Sequence, residues 1–212
     1  MNKNRIAVID TDHLLHVFTH GIKQLDEFGE PIKVDNKFVY TPKSFEQMCS
    51  EANEYLTSIL TKTEATHYIG FISGSSAYRK MIYPEYKGNR KDFVKPPFFD
   101  ELRDYIVSKY NIINLKNIWN ITPNLYETDD WVVSYARQTP DSIIISPDKD
   151  LLLIEGTHYD PRVNEWVTVN AELAAECFWS SMITGDASDG VNFCPYLLKR
   201  GNLNVKTKTI PC

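Results

Sequence analysis

The residues best placed to do chemistry lie between Glu127 and Asp150. The stretch opens E-T-D-D-W-V-V-S-Y-A-R, turns at Gln138–Asp141, and continues S-I-I-I-S-P-D-K-D-L-L-L-I. Two carboxylate clusters, Glu127/Asp129/Asp130 and Asp148/Asp150, stand at opposite ends of one helix–strand unit. Behind the first, apolar Trp131, Val132, Tyr135 and Ala136 recur at helical spacing. The second follows Ile143–Ile145, a β-branched run of the kind buried inside a parallel sheet. Acids at the carboxyl end of such a strand face the crevice in which open α/β sheets bind ligands. Five acids gathered without basic partners repel one another, and bound divalent cations are the usual remedy.

Four more acids fall at element ends: Asp10, Asp12, Asp186 and Asp189. Carboxylates and water suit hard cations, so magnesium or manganese is expected before zinc. Two such ions roughly 3.5–4 Å apart can clamp the attacking water and the leaving oxygen of a phosphodiester. From Arg79 to Lys95 the chain carries six basic residues (Arg79, Lys80, Lys87, Arg90, Lys91, Lys95) against two acids, interleaved with Tyr83, Tyr86 and Phe93. Such a segment pairs phosphates and stacks bases, and it would bring a polyanion to an acidic crevice. Taken singly, each piece has an ordinary explanation. D-x-D occurs in turns, E-x-D-D suits a helix N-terminus, G-D-x-x-D is turn chemistry, and a basic run is often a solvated face. All of them in this order, after a strand ending on Asp10, point to one site. His13, His16 and His20 share a helical face, a spacing compatible with zinc or with a plain polar surface.

The elements that must position these residues alternate. Arg5–Asp10 reads as a strand and Thr11–Thr19 as a helix capped by Asp12. Residues 21–40 read as an irregular or hairpin connection. Thr41 and Pro42 predict a helix start, with apolar spacing running to Thr61. His67–Ile72 is a strand, Pro97–Tyr110 an amphipathic helix, and Ile118–Ile121 a short strand leading to Glu127. Beyond Asp150 an antiparallel edge hairpin turns at Pro161–Asn164, and Asn170 caps a helix to about Ile183 that ends at T-G-D-A-S-D-G. This order predicts an α/β fold, a mostly parallel doubly wound sheet flanked by helices.

With 212 residues the chain suits one well-cored domain, expected over 1–190, with a basic tail over 191–212. The net charge of −5 argues against a generally basic nucleic-acid coat, so cationic surface is local. Cys49, Cys177, Cys194 and Cys212 lack zinc or C-x-x-C spacing and read as free thiols in a reducing compartment. No apolar run approaches the ~18 residues needed to span a bilayer, and no signal peptide is evident, so a cytoplasmic protein is expected.

Together V-I-D at 8–10, R-K-M-I-Y-P-E-Y-K-G-N-R at 79–90, E-T-D-D at 127–130, S-P-D-K-D at 146–150 and G-D-A-S-D at 185–189 resemble the phage and bacterial 5′-3′ exonuclease and flap endonuclease family. The resemblance covers most of residues 5–190, and P-E-Y-K-G-N-R is its most specific piece. It implies an α/β (PIN-like) domain with a basic helical arch, about 79–97, over a site for two magnesium or manganese ions. It also implies cleavage of DNA with a 5′ flap or single-stranded 5′ end. An RNA–DNA hybrid would be a second substrate, attacked with RNase H-like activity, and replication proteins would be partners in phage DNA replication or repair.

Carried over residue by residue, Asp10, Glu127 and Asp129 would surround a first metal. Asp148, Asp150 and Asp186 would surround a second, with Asp129 between the two. Asp130 and Asp189 would act at the outer sphere. Arg79 and Lys87 would contact the scissile phosphate, while Lys80, Tyr83, Tyr86, Arg90 and Lys91 would bind or steer the strand. Two departures stand out. Ser73 occupies the place of an expected Asp, which should weaken the first metal site, and little chain remains for the family's duplex-gripping helical module. Two other readings stay open: a nucleic-acid-binding module weakened in catalysis, and a haloacid-dehalogenase-type phosphatase using Asp10 and Asp12.

Overall fold

The computed structural model describes residues 5–90, 94–117, 125–186 and 189–191. In chain order its elements are β1 (Ile6–Asp10), α1 (Asp12–Thr19), β2 (Ile22–Lys23), β3 (Lys33–Val34), β4 (Lys37–Phe38), β5 (Tyr40–Thr41), α2 (Phe45–Thr63), β6 (His67–Ile72), α3 (Ala77–Ile82), α4 (Phe99–Tyr110), β7 (Ile113–Asn114), α5 (Thr128–Gln138), β8 (Ser142–Ile145), β9 (Gly156–Asp160), β10 (Glu165–Val169) and α6 (Ala171–Thr184). Six strands form one sheet in the order β10-β9-β8-β1-β6-β7. All its neighbours are parallel except β9 and β10, which pair as a hairpin. The α/β, mostly parallel architecture is therefore as expected.

Strand β1 is central and apolar because it has a covered face on each side. Ala7 and Ile9 pack with Leu14, Leu15 and Phe18 of α1, Met48, Leu56 and Ile59 of α2, and Leu102 and Ile106 of α4. Val8 faces the other way, with Ile144 of β8, Val132 and Ala136 of α5, and Leu151. Asp10 thus ends a strand locked on both sides, opposite Phe71 of β6 and one residue past the Ile9–Ile145 pair with β8. The switch in strand order, β6 on one side of β1 and β8 on the other, opens the crevice at that point.

Several boundaries differ from the sequence reading. The long helix α2 begins at Phe45 rather than after Thr41, because Ser44 and Gln47 form a reciprocal capping box. Thr41 instead pairs in β5 with Ile22 of β2. The segment between α1 and α2 is a two-tier set of small hairpins. Thr11, not Asp12, occupies the N-cap position of α1, without a side-chain capping bond, and Asp12 is the first helical residue. Ile118–Ile121 lies outside the described residues, and the strand found before it is β7, too short to show alternation. Cys49 is a free thiol, but Cys177 is disulfide-bonded, which corrects the reading of all four cysteines as free thiols. Spacing along a chain cannot report which thiols meet in space. Among the described residues no helix is long and apolar enough to cross a membrane.

Candidate active site

Four segments deliver acids to the crevice: the end of β1, the first turn of α5, the 146–150 loop after β8, and the turn after α6. Glu127 caps α5, receiving the Asp130 N–H while Asp130 Oδ2 accepts the Glu127 N–H at 2.9 Å. This local reciprocity is why E-T-D-D both starts the helix and aims Asp129 inward. Asp148 caps the next short turn, its Oδ1 accepting the Asp150 N–H at 2.9 Å. Ser146 Oγ donates to Asp10 Oδ2 at 2.9 Å and accepts the Asp148 N–H at 3.0 Å, joining β1 to the loop.

The electrostatics divide the acids into two groups. Among the described residues Asp10, Asp129, Asp148 and Asp150 form no ion pair. Burial, with the charge of Asp12 and of Asp148, raises Asp10 to about 7 despite the Ser146 hydrogen bond. Burial and the charges of Asp10, Asp148 and Glu127 raise Asp129 to about 8. Burial, then Asp148 and Asp186, raises Asp150 to about 6. Each group is held away from its charged form first by burial and then by its anionic neighbours.

Glu127, Asp130 and Asp189 are instead engaged by the protein's own cations. Arg79 forms a bidentate pair with Asp130 at 2.7 and 2.9 Å and approaches Glu127 at 3.4 Å. Lys87 Nζ donates to Glu127 Oε1 at 2.7 Å, and Arg90 Nη2 to Asp189 Oδ1 at 2.8 Å. Tyr86 is buried, its hydroxyl 3.1 Å from Glu127 Oε2 and 2.5 Å from Asp189 Oδ2. Burial and the Asp189 carboxylate push its phenol well above the usual range. The expectation of five acids gathered without basic partners is thus corrected for Glu127 and Asp130; of the acids after α6, Asp189 is paired as well, and Asp186 meets Lys149 at 3.6 Å.

Of the residues expected to hold a strand, Lys80 and Tyr83 are exposed on or beside α3. Tyr83 donates to Glu85. Tyr86 departs from its expected role, because its ring is covered and its hydroxyl points at acids rather than bases. Lys91 lies outside the described residues. Of the proposed arch, the described part is α3 and a single 3-10 turn at Gly88–Arg90.

Ser73 follows β6 in a left-handed conformation, φ 66°, and its N–H donates to Asp12 Oδ1 at 2.8 Å. Asp12 Oδ2 accepts the Thr128 hydroxyl at 2.5 Å. Asp12 therefore ties α1, the end of β6 and the start of α5 together, and it adds a negative charge beside Asp10. Sequence reading gave it a capping role and, in the phosphatase reading, a place beside Asp10, but not this one, since contacts sixty and more residues away leave no local trace. Both Asp12 oxygens are thus engaged in joining these elements.

The three histidines do not form a zinc site. His13 Nδ1 meets the Asp10 carbonyl at 2.8 Å, His16 packs on Phe99, and His20 meets Tyr40 edge-on. Burial drives His13 down to about 4, leaving it neutral. Among the described residues no three His, Cys, Asp or Glu side chains converge closely enough to hold a metal ion in the present arrangement. The donor set nevertheless fits hard cations by chemistry: buried oxygens, no thiolate or imidazole, and repulsion that a divalent charge would relieve.

The crevice is roomy. One part, ≈ 490 Å³, is lined by Arg79, Lys87, Glu127, Asp129, Asp150 and Asp186 among others. An adjoining part of ≈ 410 Å³ reaches Asp10, Asp12, Ser73 and Asp148. A phosphodiester entering it meets acids at the floor and cations at the rim.

Comparison with known proteins agrees with the fold. The family described as "5′-3′ exonuclease, N-terminal resolvase-like domain" matches residues 6–174. Among solved structures, the fold is similar to the phage T5 D15 protein co-crystallised with metal ions, at 15% identity and a TM-score of 0.62, covering 93% of this chain and 72% of that one. It is also similar to the bacteriophage T5 D15 flap endonuclease in a pseudo-enzyme–product complex with DNA and metal ions, at 14% identity and a TM-score of 0.61, covering 91% and 70%. At such identities these two establish the fold, while the family match over residues 6–174 establishes the kinship. The chain belongs to the 5′-3′ exonuclease family.

Proposed function

We propose that this chain is a metal-dependent 5′-nuclease that hydrolyses phosphodiester bonds in 5′ flaps, and in RNA primers of RNA–DNA hybrids, during phage DNA replication or repair in the host cytoplasm. The observation that carries the reading is the group of acids brought together from three segments, Asp10, Asp129 and Asp148: burial and the Asp148 charge raise both Asp10 and Asp129, the Asp10 charge raises Asp129 further, and among the described residues none of the three forms an ion pair. Asp10, Glu127 and Asp129 on one side, and Asp148, Asp150 and Asp186 on the other, would hold two magnesium or manganese ions. Bound there, such ions would supply Lewis-acid activation of the phosphate and of water near neutral pH.

The chain's own residues supply the rest. Lys87 stands at the rim, where a scissile phosphate would replace the Glu127 carboxylate it now holds, and Arg79, oriented by Asp130, would meet the same phosphate. Lys87 must release Glu127 for Glu127 to serve a cation, so substrate and metal assist each other: the phosphate draws Lys87 away and frees the acid. Exposed Lys80 and Tyr83 supply charge and a stacking face along the incoming strand. Asp130 and Asp189 act from behind, orienting Arg79, Tyr86 and Arg90.

The test is to follow metal-dependent cleavage in the wild type and in Lys87→Met. Loss of cleavage in the variant with retained Mn²⁺ binding supports the assignment. Unchanged cleavage removes Lys87 from the site. A wild type that binds DNA without cutting it in either metal would instead favour the binding-module reading, which the self-paired Glu127, Asp130 and Asp189 motivate.

A further inference from the structure

The loop bearing Asp148 and Asp150 has little behind it. A cavity of ≈ 230 Å³ lies on its outer side, lined by Ser146, Pro147, Asp160 and Arg162 among others. Pro147 has no N–H to donate, so the peptide before it offers no donor, and the next peptide offers the Pro147 carbonyl and the Asp148 N–H. Both are held. The Asp148 N–H donates to Ser146 Oγ at 3.0 Å, and Ser146 in turn donates to Asp10. The Pro147 carbonyl accepts Arg162 Nη2 at 2.7 Å, from the far side of the β9–β10 turn.

Arg162 is itself fixed. Its N–H donates to Asp160 Oδ1 at 2.9 Å, its Nε to the same oxygen at 3.3 Å, and its Nη2 to Oδ2 at 3.0 Å. Only a planar guanidinium can grip the Asp160 carboxylate and reach a carbonyl at the same time. We propose that Arg162 is a positioning residue, holding the Pro147–Asp148 peptide so that Asp148 and Asp10 meet a divalent cation in a fixed relation. Arg162 touches neither substrate nor reacting atoms. It acts through a continuous chain, Arg162 to the Pro147 carbonyl, the Asp148 N–H to Ser146, and Ser146 to Asp10. This inference rests on the metal-dependent reading above.

The test is Mn²⁺ binding to the full chain, read from the electron paramagnetic resonance of free ion, for the wild type, Arg162→Ala, Arg162→Lys and Asp160→Asn. Groups behind metal ligands typically change affinity by about 10-fold or more when removed. Arg162→Ala should weaken Mn²⁺ binding by about that factor, with flap-DNA affinity in chelator unchanged. Arg162→Lys should fall between, since one ammonium serves either Asp160 or Pro147. Because more than half of the Arg162 side chain is exposed, the metal-free melting temperature should hardly move. Equal Mn²⁺ binding in all four proteins overturns the proposal. So does a loss of DNA affinity in chelator that parallels the loss of Mn²⁺ binding, since it marks a general structural effect. A wild type that binds no Mn²⁺ overturns the metal-dependent reading as well, which separates the two failures.

Discussion

Burial and neighbouring carboxylates raise Asp10 and Asp129 from 3.8 to about 7 and about 8. A carboxyl whose folded pKa lies above its unfolded value binds more protons when folded. Its contribution to stability is then full below about pH 4 and is lost as pH climbs through 7 to 8. The metal-free protein should therefore melt at a lower temperature at pH 8 than at pH 5, and Asp10→Asn should flatten that slope. Differential scanning calorimetry in chelator measures both, and a melting temperature that rises from pH 5 to 8 would contradict the assignment. Added Mg²⁺ should restore more stability at pH 8 than at pH 5, because ligands must be deprotonated to bind. Asp148→Asn or Asp150→Asn should abolish cleavage while leaving the circular dichroism spectrum unchanged. Cleavage surviving in both would show that the loop does no chemistry.

At the scale of elements, the ends of β6 and α5 come unusually close. A Cβ on Gly74 would stand 2.1 Å from the Thr128 nitrogen and 2.5 Å from the Glu127 carbonyl carbon, both backbone atoms that cannot swing aside. Gly74→Ala should push the start of α5 outward, cost about 1–3 kcal/mol as overpacking does, and move Glu127 and Asp129 with it. Urea denaturation and cleavage rate should fall together; an alanine variant with wild-type stability would refute the close approach. Sequence reading found α5, β8, the β9–β10 hairpin and α6 because their apolar periods and caps are local. It misplaced the start of α2, where T-P competed with the capping box at Ser44 and Gln47, and it missed β7, which is too short for alternation to register. The acids of the site were legible as motifs. Their division into self-paired and bare groups was not, because Lys87–Glu127, Tyr86–Asp189 and Arg79–Asp130 are made across forty or more residues.

Over the whole molecule, a net charge of −5 coexists with a cationic rim on one crevice. Binding of single-stranded DNA should accordingly be local and salt-sensitive. Contact with about six phosphates gives a log–log slope of about −4 with salt concentration. A fluorescence-anisotropy titration measures the slope, and a value near zero would show that the rim is not a binding surface. The central claim is that acids and rim together cut a strand. Cleavage of a 5′-labelled flap DNA and of an RNA primer on DNA, with Mg²⁺ or Mn²⁺ against a chelator control, tests it most directly. Short labelled products only when metal is present are the predicted result. Products that persist in chelator, or intact substrate in both metals under conditions where the strand is bound, would contradict it.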